Sequence, residues 1–404
     1  MSSAAALSVQ GSSPGAAPGP QPDLGAVYLE EHRELVLEEI RRIIRAGSPG
    51  DDRAYRLMLD YPLRRAKGLR PALCIAVCRA LGGELEEVLP SAAVVEMYHN
   101  AFLIHDDIED GSLTRRGGPA LHRTHGVPAA VNCGDGLLAL TLGPLLANTD
   151  RLGLGRALRI LDVYARAVIE SFEGQAQELS WIDEGTWQLT DADYESMVRR
   201  KTCSYSFVAP GLVGAAVAGA EPRLEALLVS FLESLGLAFQ IQDDLLNLEE
   251  GRADYGKELA GDLWEGKRTL MLLHALRSAR EADREEALRI LRKPRPAAGS
   301  PEAGLADLLR GMVEERIIDE AGRAAMMRYL DRRAASSGEK TEDDVRFLWR
   351  LIDDHGGIEH ARGVAGRHAA SAEVRWRELA EVLADSVHKR FIGWLKDYVV
   401  QRTW

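Results

Sequence analysis

The stretch AFLIHDDIEDGSLTRRGG, residues 101–118, runs an apolar helical segment directly into a group of charges. Four acids fall within five positions and an arginine pair follows them: Asp106, Asp107, Glu109, Asp110, Arg115 and Arg116. The leading segment is apolar nearly all round, which is typical of a central helix in a large bundle. On such a helix Asp106 and Asp110 share one face.

Helical periodicity continues on both sides of this stretch. Residues 27–46 place Leu29, Leu35, Val36, Ile40 and Ile43 on one stripe, and residues 386–402 repeat the pattern with Phe391, Leu395 and Val399. Alternating strand-like runs between turn signals are missing. The sequence therefore predicts an all-α fold, a single-domain helical bundle over residues 25–404. A helical insertion is expected at about 304–333, after a Pro/Gly/Ser-rich loop at 291–303.

Composition excludes several classes of protein. The 404 residues carry a net charge of −12 with a pI near 5.4, which disfavours a nucleic-acid partner because phosphate backbones reward a basic surface. Four scattered cysteines do not make a disulfide framework and suggest a reducing, cytoplasmic setting. Residues 1–24 are rich in Gly, Pro, Ser and Ala and are expected to form a disordered tail. No apolar run reaches about 18 residues, so no transmembrane segment is expected.

The acids of the opening stretch have two interpretations. Charged runs are common on solvated helix ends. Alternatively, carboxylates this close repel one another unless a cation sits between them, and their oxygens suit Mg²⁺. A second apolar helix that runs into acids, GLAFQIQDDLLN at 236–247, favours the metal site. Two such helices facing each other would place Asp106, Asp107, Asp110, Asp243 and Asp244 around one central cavity.

Basic and polar residues at several other positions supply what an anionic ligand needs. Each alone is more often a surface cation, but their joint placement around two acidic helices favours diphosphate binding. They are Lys67, Arg70, His99, Arg115, Arg116, Lys201, Thr202, Lys257 and Lys267.

These motifs together resemble the trans-isoprenyl diphosphate synthases, and geranylgeranyl diphosphate synthases most closely. DDIED, the following RRG, KGLRP, GQAQEL, KT and FQIQDDLLN, with GKELAGDLWEGK after it, occur in the family's order, and the likeness extends from about residue 60 to the closing YVVQR. The resemblance implies the helical isoprenoid-synthase fold and an Mg²⁺-assisted condensation of isopentenyl diphosphate with an allylic diphosphate. It also implies a homodimer and three Mg²⁺ ions.

Roles follow from the resemblance position by position. Asp106, Asp107, Asp110, Asp243 and Asp244 would hold Mg²⁺ on the allylic diphosphate. Other side chains would complete its neutralisation: Arg115, Lys201, Gln240, Lys257 and Lys267. The diphosphate of isopentenyl diphosphate would be bound by Lys67, Arg70, His99 and Arg116. Dipoles at Thr202 and Gln240 would stabilise a carbocation, which with Lys201 makes these three the expected catalytic residues.

Two positions depart from the family pattern, and product length stays open. Asn247 stands where most members carry Asp, and Ala66 stands where Gly is usual. In the family, bulk at the positions of Phe102 and Ala101 tends to cap the tail channel, so a C20 product is expected while Phe102 keeps C15 open. A class I terpene cyclase and a non-catalytic synthase subunit are the rivals, but the two diphosphate-binding sets and the retained aspartates argue against them.

Overall fold

A computed structural model describes residues 23–47, 53–248, 260–295, 308–309, 311–313, 317–327 and 338–401. Lys257, residues 1–22 of the predicted tail and part of the predicted insertion lie outside the described residues. Those parts of the insertion that fall at 308–309, 311–313 and 320–327 are helical.

Helices dominate the described chain, in agreement with the predicted all-α class. Their bounds are α1 Leu24–Gly47, α2 Arg53–Met58, α3 Asp60–Leu63, α4 Leu69–Ala80, α5 Leu85–Glu109, α6 Leu121–His125, α7 Val127–Leu152, α8 Leu154–Asp183, α9 Asp191–Val198, α10 Ala209–Val217, α11 Pro222–Leu248, α12 Gly261–Glu265, α13 Leu270–Ser278, α14 Glu281–Leu291, α15 Glu342–Asp354, α16 Gly357–Val382 and α17 Val387–Gln401. A π-helical segment, Arg199–Val208, joins α9 to α10.

The two acid-bearing helices occupy central positions. Helix α5 packs against α1, α4, α7 and α10, and α11 packs against α16, α17 and the π-helical segment. Helix α5 is buried along most of its length, and its own apolar residues, including Val94, Met97 and Ala101, face the core because this helix has almost no polar face. The predicted central position of the AFLIHDD helix is therefore correct.

The terminal helices follow the predicted stripes with one exception. Phe391, Leu395 and Val399 of α17 are fully buried, as expected. In α1 the stripe is buried except for Leu35, which is 42% exposed, so its assignment to the buried face is wrong. Leu37 is buried instead.

A small hairpin breaks the helical pattern directly after α5. Strand β1 (Thr114–Arg115) pairs antiparallel with β2 (Gly118–Pro119), with Thr114 opposite Pro119. The two connecting residues, Arg116 and Gly117, have φ angles of +51° and +75°. Positive φ at both central residues is the signature of a type I′ turn, which the RRGG sequence permits through its first glycine.

Two described helices, α7 and α11, are long and apolar enough to span a bilayer by length and composition alone. This is weak evidence, since core helices of soluble proteins pass the same test. Helix α11 carries the second acid motif into the interior of the bundle.

Candidate active site

A large cavity lies between α4, α5, α8, the π-helical segment and α11, and α1 and α17 close its outer side. Its volume of about 1330 Å³ exceeds the roughly 300–1,000 Å³ of a typical single-ligand pocket, so it has room for two substrates. Most of the residues expected at the site line it: Lys67, Arg70, His99, Phe102, Asp106, Arg115, Arg116, Lys201, Thr202, Gln240, Asp243, Asp244 and Lys267. Ala101, Asp107 and Asp110 do not line this cavity.

Asp107 is fully buried and both of its oxygens are occupied by protein donors. The Tyr61 hydroxyl donates to Oδ2 at 2.5 Å, and Arg115 Nε donates to Oδ1 at 2.8 Å. The second Arg115 nitrogen also reaches Asp107 Oδ1, and it lies 3.3 Å from Asp106 Oδ2. Asp107 therefore orients the Arg115 guanidinium beside Asp106.

Two lysines each lie between a motif carboxylate and a glutamate. Lys201 Nζ is 3.3 Å from Asp106 Oδ1 and 2.5 Å from Glu178 Oε2. Lys267 Nζ is 2.7 Å from Asp110 Oδ2 and 3.0 Å from Glu265 Oε2. The first acid motif is thus neutralised by ammonium groups that arrive from two distant parts of the chain.

These ion pairs set the protonation of the first acid motif. Burial by itself raises the pKa of Asp106, but Lys201, Lys267 and Arg115 outweigh it and hold this pKa below its ordinary value. Burial raises the pKa of Asp110 to about 7, with the Lys267 ammonium opposing it. The surrounding cations therefore keep Asp106 ionised, whereas burial works against ionisation at Asp110.

The second acid motif is held by neutral donors. Tyr194 donates its hydroxyl proton to Asp244 Oδ2 at 2.6 Å, and Gln240 Nε2 donates to Oδ1 at 2.8 Å. Burial raises the pKa of Asp244 to about 6, although both hydrogen bonds lower it. Asn247 Oδ1 accepts the backbone N–H of Asp262 at 3.1 Å, so this amide oxygen anchors the start of α12.

Arg70 and His99 form the centre of a second basic group. Arg70 Nη1 lies 3.0 Å from His99 Nε2, and its other nitrogens donate to Ser206 Oγ at 3.1 and 2.8 Å. Burial, together with Arg70 and Arg116, holds the pKa of His99 well below its ordinary value, so the ring is neutral. Because Arg can only donate, Nε2 accepts and the ring proton is on Nδ1, which has no partner among the described residues.

Arg116 belongs to the same basic group and sits in a strained backbone conformation. Its φ of +51° is uncommon for a residue with a side chain. Its guanidinium donates to the Tyr61 carbonyl at 2.8 Å and to Asn100 Oδ1 at 3.0 Å. These bonds and the hairpin hold Arg115 and Arg116 on different sides of the turn, so Arg115 reaches the acids and Arg116 reaches the Arg70 side of the cavity.

The π-helical segment brings Lys201, Thr202 and Tyr205 to the cavity wall. It packs very closely on α8 at Gly174, where an added Cβ would lie 2.3 Å from the Lys201 backbone nitrogen. Any larger residue at 174 would displace Lys201, and π-helical turns of this kind are often found at functional sites.

A group of aromatic residues lies at the cavity wall, where Phe102 and Tyr205 line the cavity. The half-buried Phe102 ring lies 5.1 Å from the Tyr205 ring and 6.3 Å from the Tyr98 ring. Tyr164 packs against Tyr98 edge to face at 5.8 Å. Ala101 faces the protein core instead, with no exposed surface.

The oxygens at the acid motifs fit a divalent metal that shares its ligands with a diphosphate. No three His, Cys, Asp or Glu side chains in the described ranges converge closely enough to bind a metal alone. Asp106 Oδ1 and Asp110 Oδ2 are nevertheless buried, and neither has a well-aligned hydrogen bond among the described residues. The ammonium nitrogens of Lys201 and Lys267 lie 3.3 and 2.7 Å from these two oxygens, respectively. Hard oxygen ligands of this kind suit Mg²⁺, which usually takes its remaining ligands from water and phosphate.

Sequence reasoning missed several residues that shape this site. Glu178 lies within GQAQEL, a motif that carries the resemblance, and that motif was the available signal. Glu265 likewise lies within GKELAGDLWEGK, another of those motifs. Tyr61 and Tyr194 gave no signal, because a lone tyrosine is indistinguishable from ordinary residues until the fold places it.

Comparison with known proteins identifies the chain. The family profile described as Polyprenyl synthetase matches residues 52–303. The chain belongs to the polyprenyl synthetase family. A geranylfarnesyl diphosphate synthase of Aeropyrum pernix is 33% identical over 340 residues, 83% of this chain and 90% of the relative. Several further relatives are named geranylgeranyl diphosphate synthase.

Solved structures of polyprenyl synthetases share the architecture. Geranylgeranyl pyrophosphate synthetase from Pyrococcus horikoshii is 27% identical with a TM-score of 0.72, covering 94% of this chain and 98% of its own. Polyprenyl synthase from Caulobacter crescentus, complexed with calcium and isoprenyl diphosphate, is 25% identical with a TM-score of 0.70, covering 96% and 100%. This polyprenyl synthetase is therefore an all-α enzyme that transfers prenyl groups.

Proposed function

We propose that this polyprenyl synthetase condenses isopentenyl diphosphate with an allylic diphosphate to give geranylgeranyl diphosphate (C20). The observation that carries the proposal is a single cavity with metal-suited carboxylates and two separate basic groups, one on each side of the Arg115–Arg116 turn. Two basic groups match two diphosphates. The names of several relatives support the C20 product.

We assign the allylic diphosphate to the acid side of the cavity. Asp106, Asp110, Asp243 and Asp244 would hold Mg²⁺, with three ions as the resemblance implies. Bound there, Mg²⁺ would stabilise the charge that develops on the departing diphosphate. Asp107 then serves as the anchor of Arg115 and does not itself bind metal.

The chain's own cations complete this side. Lys201 and Lys267 carry firmly held protons, since their carboxylate neighbours raise both pKa values despite burial. Their ammonium groups and Arg115 would donate to diphosphate oxygens. Thr202 and Gln240 also line the cavity and would turn their oxygen dipoles to the cation. Lys257 keeps its predicted role on this diphosphate.

The second substrate is assigned to the Arg70 side. Arg70, Arg116 and Lys67 would bind its diphosphate, and the neutral His99 would donate from Nδ1. Lys67 Nζ lies 2.5 Å from the Tyr398 hydroxyl of α17, so this helix holds the lysine at the cavity wall. The growing tail would extend toward Phe102, Tyr205 and Tyr98.

A C15 product is the second candidate, and the position of Phe102 favours it. Its ring lies in the cavity wall and packs on Tyr205, which shortens the space for a tail. Incubating purified protein with Mg²⁺, isopentenyl diphosphate and the C5, C10 or C15 allylic diphosphate, followed by chromatography, decides between these products. Absence of any elongated product would reject the synthase assignment and return a cyclase or a non-catalytic subunit to consideration.

We also propose a cytoplasmic homodimer. Helices α7 and α8 pack against each other, and each exposes large apolar side chains, including Leu146 at 65% and Phe172 at 69% exposure. Exposed apolar faces of this extent mark association surfaces in soluble proteins. A second copy of the same chain would cover them symmetrically.

A further inference from the structure

Lys340 is a deeply buried lysine beyond the region that the family profile matches, which ends at residue 303. Only 1% of the residue is exposed. Its Nζ donates to the carbonyls of Leu263 at 3.0 Å and Trp264 at 2.7 Å, and its backbone N–H donates to the Pro294 carbonyl at 2.9 Å. The segment after the predicted insertion is thereby fixed against α12.

The two carbonyls explain why an ammonium group is buried there. Helix α12 has only five residues, so its last carbonyls cannot find partners within the helix. A lysine near a helix C-terminus satisfies such carbonyls and interacts favourably with the helix dipole. The arrangement is costly, because burial lowers the pKa of Lys340 to about 8.

Helix α12 leads directly to Lys267, whose backbone N–H donates to the Asp262 carbonyl at 2.9 Å. The Lys267 ammonium lies between Asp110 and Glu265. Arg295, which precedes the insertion, lies 3.1 Å from the other Glu265 oxygen. Residues on both sides of the insertion therefore bind α12, the helix that precedes Lys267. Lys340 binds its backbone carbonyls, and Arg295 binds the Glu265 side chain.

We infer that Lys340 is a positioning residue that fixes α12 and so holds the Lys267 ammonium at the allylic diphosphate site. The inference rests on the proposed role of Lys267. It extends the residues that support catalysis beyond the region that the family profile matches, to a residue that does not line the cavity. A shift of about 1 Å in a substrate-positioning group can change a rate about a hundredfold.

A matched control separates positioning from simple stabilisation. Lys389 Nζ also donates to two backbone carbonyls, those of Ala380 at 2.6 Å and Leu383 at 2.9 Å, near the end of α16. Lys389 does not line the cavity. Lys340→Met and Lys389→Met remove the same kind of contact, one beside Lys267 and one away from the cavity.

The experiment measures thermal stability, kcat, and binding of inorganic diphosphate with Mg²⁺ by calorimetry. Both variants should lower Tm, but only Lys340→Met should lower kcat and diphosphate affinity, by about tenfold, or about 1.4 kcal/mol. If Lys340 acts through Lys267, adding Lys340→Met to Lys267→Ala should change kcat little further. Where Lys340→Met fails to fold, Lys340→Gln, which keeps an N–H donor, replaces it.

The outcomes are distinct. Full activity and diphosphate affinity in Lys340→Met, or an equal further loss in the Lys267→Ala background, would overturn the positioning role. An inactive wild-type protein would reject the proposed function, while the diphosphate titration would still test Lys340.

Discussion

Replacing Tyr61 by Phe should destabilise the protein strongly and impair the use of one of the two substrates. The Tyr61 hydroxyl donates to Asp107 at 2.5 Å and accepts the Leu121 backbone N–H at 3.0 Å, and the residue is 1% exposed. The change leaves a buried N–H without an acceptor and removes one donor from a buried carboxylate, each costing about 1–3 kcal/mol. We expect a loss of about 3 kcal/mol in the free energy of unfolding, a large part of a typical 5–15 kcal/mol.

The effect on catalysis should divide between the substrates. Asp107 would lose its second donor and hold Arg115 less firmly, so kcat/KM for the allylic diphosphate should fall about three- to tenfold, an estimate scaled to a loss of about 1 kcal/mol. Arg116 is bound through the Tyr61 backbone carbonyl, which Phe retains. The KM for isopentenyl diphosphate should therefore stay unchanged.

Chemical denaturation and steady-state kinetics provide the measurements. Tyr55→Phe is the matched control. Among the described residues its exposed hydroxyl donates only to the Gly47 carbonyl, at 3.0 Å, and its loss should change the free energy of unfolding by no more than about 0.5 kcal/mol. If Tyr61→Phe were as stable as this control, or if it raised both KM values equally, Tyr61 would not link Asp107 to Arg115 as described.

Four further predictions concern the metal site, the tail and the dimer. Phe102→Ala should lengthen the product by at least one C5 unit in the chromatographic assay, and an unchanged product would place the stop elsewhere. Asn247→Asp keeps an oxygen for the Asp262 N–H and should stay active, whereas Asn247→Leu should be less active and have a lower Tm. Equal activity of the two variants would show that the contact is dispensable. Since the pKa values of Asp110 (about 7) and Asp244 (about 6) lie above those of unfolded carboxyl groups, their contribution to the stability of the metal-free protein is full below about pH 4 and is lost as pH rises through 6 to 7. Mg²⁺ with inorganic diphosphate should consequently raise Tm more at pH 8 than at pH 5.5, and an equal rise would refute the assignment of these carboxylates. Phe172→Glu should give a monomer in analytical ultracentrifugation, and a persistent dimer would exclude this face.

The sequence predicted the fold well because its strongest signals are periodic. The AFLIHDD helix is apolar nearly all round, so a central position in a bundle buries it, and GLAFQIQDD is a second apolar segment that runs into acids. The Arg116–Gly117 hairpin was not predicted, because two residues per strand leave no periodicity. Leu35 was misassigned because residues 35–37 are all apolar, so the sequence pattern does not show which of them face the core.

Motif residues were predictable at the site, and their orienting partners were not. Asp106, Lys201 and Gln240 stand in recognisable patterns and line one cavity. Tyr61 and Tyr194 reach the site through long-range contacts with Asp107 and Asp244, and such pairings depend on the packing of whole helices. Asp107 was expected to resemble its neighbour Asp106, but a rotation of about 100° along the helix turns it from the cavity into the protein.

The two lysines at the first acid motif have a consequence for the catalytic cycle. Lys201 and Lys267 already balance Asp106 and Asp110 before any substrate arrives, with Glu178 and Glu265 as second anchors. Under the proposed function, Asp106 and Asp110 would bind metal and the two lysines would then be free to donate to phosphate oxygens. Each lysine would keep a glutamate partner throughout, so the protein without ligands does not hold a bare cluster of negative charge at this motif.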